Sequence, residues 1–395
     1  MDKNDIVIVS AKRTPMGGFQ GDFAGTTASQ IGSAAIKAAL ETSGLKAEDI
    51  DDIIMGCVLP AGQGQAPARQ AALGAGLPQS TGATTINKMC GSGLKAVMMA
   101  HDEILAGSHT IMIAGGMESM SGAPYLLPKA RGGFRMGHGE VKDHMFLDGL
   151  EDAYNKGTLM GCFAEDCAGH FNFTREQQDE FAIRSLSRAQ KTIEDGSFKN
   201  EITAVMIKDR KGESEITIDE QPSKARPDKI PTLKPAFAKD GTVTAANASS
   251  ISDGAAALTL MKREEAEKRG LTIMATIKGH TTHAQEPEWF TTAPVGALKK
   301  LSEKTGWDLK NVDLFEINEA FAVVTLAAMK ELDLPADKVN VHGGACALGH
   351  PIGASGARVL TTLLHALEKY DLKTGMATLC IGGGEAVAVA VERSK

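Results

Sequence analysis

The sequence predicts an α/β protein built from two similarly patterned halves around an irregular inserted segment. Three observations carry this. Strand-like and helix-like runs alternate through about the first 115 residues. The stretches opening "CGSGLKAVMMAH" and "GASGARVLTTLLHALEKY" share one order: small-residue turn, helix, strand and Gly-rich exit. Between about residues 121 and 249 the periodicity fails, and Pro, Gly and charge take over. Alternation of this kind implies parallel strands with helical crossovers. The period of the matching stretches is far too long for a solenoid.

The elements follow in order. "IVIVS" (Ile6–Ser10) is a short buried-strand run. Ile31, Ala35 and Leu40 give 28–44 helical spacing, and Gly44 is its stop. "IDDIIMGCVL" reads as a strand, Leu94–Leu105 as a helix and Thr110–Gly116 as a strand. In the insert, Thr174 and Gln177 form a capping box ahead of a long helix that Gly196 ends. Then Val312–Ile317 is a strand, "NEAFAVVTLAAMKEL" starts a helix and "KVNV" is a strand. "GARVLTTLLHALEKY" is a helix, "MATLCIGGG" a strand, and "AVAVAVE" an alternating strand.

Bulk properties exclude several classes of function. The 395 residues are 43% apolar and 23% charged, an ordinary globular balance. A chain of this length buries about 75% of its unfolded surface and needs no disulfide or metal staple. A net charge of −7 argues against general nucleic-acid binding. It leaves room for anionic small molecules held by local Lys and Arg. The six cysteines show no CxxC spacing and read as reduced thiols. No apolar run approaches the roughly 18 residues of a membrane span. The N-terminus enters a strand at once, which sets the expectation of a cytoplasmic protein.

Four stretches carry chemistry. Cys90, in "KMCGSG", stands where a strand gives way to a helix. A helix N-terminus favours a thiolate, and Gly91 and Gly93 would let backbone N–H groups approach a carbonyl. The plainer reading is a buried structural cysteine. His350, in "HGGACALGHPIGASG", precedes a proline in a loop that leads into a helix. It could serve as a base toward a thiol, or only as a packing histidine. His342 and Cys346 share the His350 loop, which supplies at most three ligands, and Cys380 would have to be the fourth of a closed zinc site, so no metal is expected. Cys380 ends a strand before Gly382–Gly384, and a second thiol suits proton transfer at carbon. Asn318, in "EINEAFA", reads first as a helix N-cap and second as an amide holding a water or carbonyl oxygen.

Together with "RTPMG", "GGMESMS" and "NASSISDGAAA", these stretches make the chain resemble the thiolase family over essentially its whole length. The resemblance implies a thiolase fold: duplicated βαβαβαββ halves in a five-layer αβαβα core with an inserted loop domain. It implies an N-terminal half at 1–120 completed by 250–270, a loop domain at 121–249 and a C-terminal half at 271–395. It implies a ping-pong acetyltransferase that joins two acetyl-CoA into acetoacetyl-CoA plus CoA, and runs in reverse as a thiolysis. By motif, Cys90 is then the acyl-accepting nucleophile, His350 its activator and Cys380 the acid/base for the second substrate. Asn318 orders a water that forms one oxyanion hole with His350, and the N–H groups of Cys90 and Gly382 form the other. Ser249 lies near the pantetheine, and Met160, Phe290, Ala320 and Phe321 line the acyl pocket. Coenzyme A thioesters are substrates, no cofactor is bound permanently, and the chain assembles as a homotetramer (a dimer of dimers) or a homodimer. The alternatives are a 3-ketoacyl-CoA thiolase of broader chain length and a non-catalytic CoA-binding scaffold.

Three positions depart from the family pattern. Leu159 stands where a histidine usually precedes Met160–Gly161, and "NKGTLMG" is one residue longer than usual. Cys346 replaces a small aliphatic residue. "QPSKARPDK" occupies the segment that usually supplies an arginine to the CoA phosphates or adenine, which makes Lys224 and Arg226 the candidates.

Overall fold

Period-two alternation sorts the strand side chains onto two faces. In β1 (Ile6–Arg13), Ile6 and Ile8 enter one apolar cluster while Val7 and Val9 enter another. The computed structural model that shows this describes residues 2–209 and 212–393. Met1, Arg210, Lys211, Ser394 and Lys395, which fall within the expected segments, lie outside the described residues.

The first half continues with α1 (Ala28–Ser43), β2 (Asp52–Gly56), α2 (Pro67–Gly74), β3 (Gly82–Ile86), α3 (Ser92–Ala106) and β4 (Ile111–Ser119). The insert carries α4 (Met160–Phe171) and α5 (Arg175–Glu194), the latter with the Thr174–Gln177 capping box formed. Its strand pairs, Tyr125–Leu126 with Lys142–Asp143 and Val205–Asp209 with Gly212–Ile216, stay off the main sheet. Then come β5 (Ser252–Lys262), β6 (Ala275–Ala284), α6 (Ala293–Thr305), β7 (Leu314–Ile317) and α7 (Ala322–Leu332). α8 (Ser355–Lys369), β8 (Thr374–Ile381) and β9 (Glu385–Arg393) close the chain.

The strands run in the order β7-β8-β9-β6-β1-β5-β4-β2-β3, with the two-residue strand Gly17–Gly18 beside β5. The two halves repeat one arrangement: β2-β4-β5-β1 in the first matches β7-β8-β9-β6 in the second. Among the described residues, the strands of the two halves pair with each other only at Val7↔Thr276 and Ile8↔Ala275, so the sheet bends there into two leaves. α3 and α8 touch strands of both leaves and fill the space between them. α1 packs on the outer face of the first leaf, and α6 on that of the second. Five layers result: helix, sheet, helix, sheet, helix. The central cluster, with Leu94, Val97, Leu360 and Leu363 among its members, is buried from both sides.

Three expectations change. Only β2–β3, β2–β4 and β7–β8 are parallel; the remaining long pairs are antiparallel. The chain between β8 and β9 is the tight Gly382–Gly384 turn, which forces an antiparallel hairpin. "KVNV" is not a strand and makes one isolated bridge, Phe315↔Val339. Asn340 there has φ 50°, and its side chain bonds both the N–H and the C=O of Ile317. Asn318 is not a cap: α7 begins at Ala322 with Phe321 as its N-cap residue.

Candidate active site

Cys90 and His350 lie far apart in sequence, and two helix starts bring them together. α3 and α8 meet backbone to backbone. A Cβ on Gly93 would sit 2.7 Å from the Ala357 nitrogen, and one on Gly356 would sit 2.2 Å from the Leu94 nitrogen. Only glycines permit that approach. Each functional side chain sits just ahead of one of these helices, so both open onto one cavity of about 360 Å³. Gly382, Ser249, Met160, Phe290, Ala320 and Phe321 line it as well, as does Leu159. Phe146, Leu150, Phe237 and Ile352 complete walls that are largely apolar.

The Cys90 turn is tight. Met89 has φ 47°, a left-handed conformation that costs a non-glycine residue on the order of 1–3 kcal/mol. Ser92 braces the turn by accepting from Lys88 N–H at 2.8 Å and donating to Met89 O at 2.6 Å. Gly91 is small because of the other half: a Cβ there would lie 2.4 Å from Ile381 Cδ1. The sequence suggested that Gly91 and Gly93 make room for a ligand, but Ile381 and Ala357 occupy that space. A thiolate at a helix start was also expected. Burial instead pushes the Cys90 thiol up to about 11, although the N–H groups of Gly382 and Cys90 favour its anion.

His350 is a neutral base by construction. Burial, reinforced by Arg358, pushes the imidazole down to about 3. Ser355 Oγ donates to Pro351 O at 2.9 Å, so it accepts from His350 Nδ1–H at 2.5 Å. That fixes the tautomer and leaves the Nε2 lone pair without a protein partner.

Cys380 and Asn318 do not line the cavity and are buried, at 1% and 0% exposure. Cys380, near the end of β8, packs in a cluster with Phe290, Ala320 and Phe321. Burial and then the neighbouring Cys90 raise its thiol well above the ordinary value. Neither polar atom of the Asn318 side chain has a protein hydrogen-bond partner.

Lys224 and Arg226 do not reach this cavity. They line a separate groove that shares only Ala245 with it, and they are paired with Glu220 and Asp228. As for metals, the ligand atoms of His342, Cys346, His350 and Cys380 do not converge. Among the described residues, the ligand-bearing group that does is His101, Asp102 and His280, within 4.8 Å. There both imidazoles already bond Asp102 Oδ1, each at 2.9 Å.

Sequence reasoning missed Ser355, although its place five residues after His350, at a helix start, was a usable signal. It also assigned nothing to Glu118, which is fully buried behind the cavity.

Two family models match the chain: Thiolase, N-terminal domain over residues 6–264, and Thiolase, C-terminal domain over residues 271–393. The acetyl-CoA acetyltransferase of Chromobacterium violaceum is 50% identical over 391 residues, covering 98% of this chain and 100% of that protein. A probable acetyl-CoA acyltransferase of Staphylococcus aureus is 45% identical over 392 residues, 99% of each chain. The crystal structure of the Bacillus anthracis acetyl-CoA acetyltransferase superposes with a TM-score of 0.97 at 40% identity, covering 99% of each chain.

Proposed function

Because the chain belongs to the thiolase family, we propose that it works as an acetyl-CoA acetyltransferase, joining two acetyl-CoA into acetoacetyl-CoA and CoA and catalysing the reverse thiolysis. The observation that carries this is the meeting of Cys90, the unpaired His350 Nε2 and the Gly382 N–H at one apolar cavity.

In the first half-reaction, His350 Nε2 takes the Cys90 proton as sulfur attacks the thioester carbon. The S–C bond to CoA breaks, and the departing CoA sulfur takes the Cys380 proton, which leaves a Cys380 thiolate beside a protonated His350. In the second, that thiolate removes an α-proton from another acetyl-CoA, and the carbanion attacks the acyl carbon. The Cys90–acyl bond breaks, and His350 returns its proton to the Cys90 sulfur. The Cys90 and Gly382 N–H groups would face one developing oxyanion, each donor supplying about 2.7–4 kcal/mol. His350 would face the other, together with a water held by Asn318, whose buried amide needs such a partner. Because both resting groups are neutral, the thiolate forms only as the thioester arrives.

The other elements of the reading are proposals too. Ser249, Met160, Phe290, Ala320 and Phe321 would hold the pantetheine and acyl group. Lys224 and Arg226 would meet CoA phosphates only by leaving their present partners. The chain division at 1–120 with 250–270, 121–249 and 271–395 is supported by β5, which lies between β1 and β4. Assembly as a homotetramer or homodimer is supported by exposed apolar side chains on the insert, including Tyr125, Leu127, Met136 and Val141. A cytoplasmic setting is supported by six free thiols.

Paired variants test the roles. Cys380→Ala should accept acetyl from acetyl-CoA yet form no acetoacetyl-CoA, whereas Cys90→Ala should do neither. Condensation by the Cys380 variant at the wild-type rate would remove that thiol from the mechanism.

A further inference from the structure

Glu118, near the end of β4, has no surface exposure and four donors around its carboxyl group. Oε2 accepts from Val58 N–H at 2.9 Å and from Gly353 N–H at 2.8 Å. Oε1 accepts from Leu59 N–H at 3.1 Å and faces the Cys57 thiol at 3.6 Å. Two pieces of chain, 57–59 in the first half and Gly353 in the second, therefore converge on one side chain. Gly353 lies three residues after His350 and two before Ser355. β2 ends at Gly56, and in the loop that follows, Val58 and Leu59 pack with Ile352, Met89 and Cys90.

We infer that Glu118 is a positioning residue that clamps the His350 loop against the Cys90 turn through both of its carboxyl oxygens. The inference rests on the acyltransferase reading of Cys90 and His350. A carboxylate suits the place because both oxygens accept. An amide offers one acceptor, and its NH₂ would oppose backbone N–H groups. The loop has no slack to compensate: a Cβ on Gly353 would lie 2.7 Å from Glu118 Oε2, and one on Gly116 would lie 2.0 Å from Gly353 O. Burial pushes the carboxyl up to about 7, while the three N–H groups hold it down. The titratable groups facing it are the thiols of Cys57 and Cys90, and its charge raises that of Cys90.

The test is Glu118→Gln, with Glu118→Asp as the charge-keeping partner, in the full-length protein. Thiolysis of acetoacetyl-CoA gives kcat and KM, and iodoacetamide alkylation of Cys90 against pH gives a thiol midpoint. Misplacing the base by about 1 Å costs about 100-fold, so kcat should fall toward that in both variants while KM moves little. The alkylation midpoint should move down in Glu118→Gln, which lost the negative charge, and stay in Glu118→Asp. A merely structural role would lower Tm while leaving kcat of the folded Glu118→Asp protein near the wild-type value, and this result would overturn the inference. So would an unchanged kcat in Glu118→Gln beside an active wild type. If Glu118→Gln does not fold, Glu118→Asp decides: kcat lost in protein still folded at the assay temperature, with KM little changed, supports the clamp, and kcat retained overturns it. An inactive wild type would instead defeat the acyltransferase reading itself.

Discussion

One hydroxyl decides which face of His350 is basic. Ser355 accepts from Nδ1–H because its own proton is committed to Pro351 O. Removing a buried hydrogen bond of this kind costs on the order of 1.4 kcal/mol, about tenfold in rate. Ser355→Ala should therefore lower kcat/KM about tenfold, and Ser355→Thr, which keeps the hydroxyl, should recover most of it. Steady-state thiolysis checks this; equal loss in both variants would point to packing. Cys90 carries a second expectation. Its thiol is pushed up to about 11 by burial, above the roughly 8.5 of a free cysteine. Iodoacetamide should alkylate Cys90 slowly at neutral pH, with a rate still climbing beyond pH 9, since only the thiolate reacts. A midpoint below that of a free thiol would show that the resting site stabilises the anion after all.

The elements meet through missing side chains, and this is testable at Gly91. Adding a methyl there drives it to 2.4 Å from Ile381 Cδ1, and overpacking of this kind costs about 1–3 kcal/mol. Gly91→Ala should lower Tm and activity together, and the double variant with Ile381→Val should recover part of both. How much was legible in the sequence follows the same physics. The α3 and α5 helices were readable because capping residues and apolar spacing are local. The Cys90 and His350 loops were readable because small residues mark turns. What was lost depended on distant partners. Asn340 looked like part of a strand, but its side chain is spent on Ile317. Asn318 looked like a cap because nothing local shows that α7 waits until Ala322. Gly91 and Gly93 looked like ligand space because the residues that fill it, Ile381 and Ala357, come from the other half. The direction of the Cys90 shift failed for the same reason, since burial is not written into a local motif.

Across the molecule, the two matching halves place their helix starts together, and that geometry makes the cavity. The same burial has a cost in acid. His342 is 1% exposed, and burial pushes it down to about 4. The unfolded chain binds its proton near pH 6.5, so the stability tied to neutral His342 is complete above that and is lost as pH falls toward 4. Thermal unfolding should drop across this window. His342→Gln should drop less, and because carboxylates titrate there too, the difference between the two proteins is the informative quantity. Above all, the account requires an acyl group to pass through one sulfur out of six. Rapid quenching of the wild-type protein with acetyl-CoA, followed by peptide mass mapping, measures this directly. The account predicts acetyl on Cys90, with Cys57, Cys162, Cys167, Cys346 and Cys380 unmodified. Acetyl on another side chain, or turnover with no covalent adduct at any point, would contradict it.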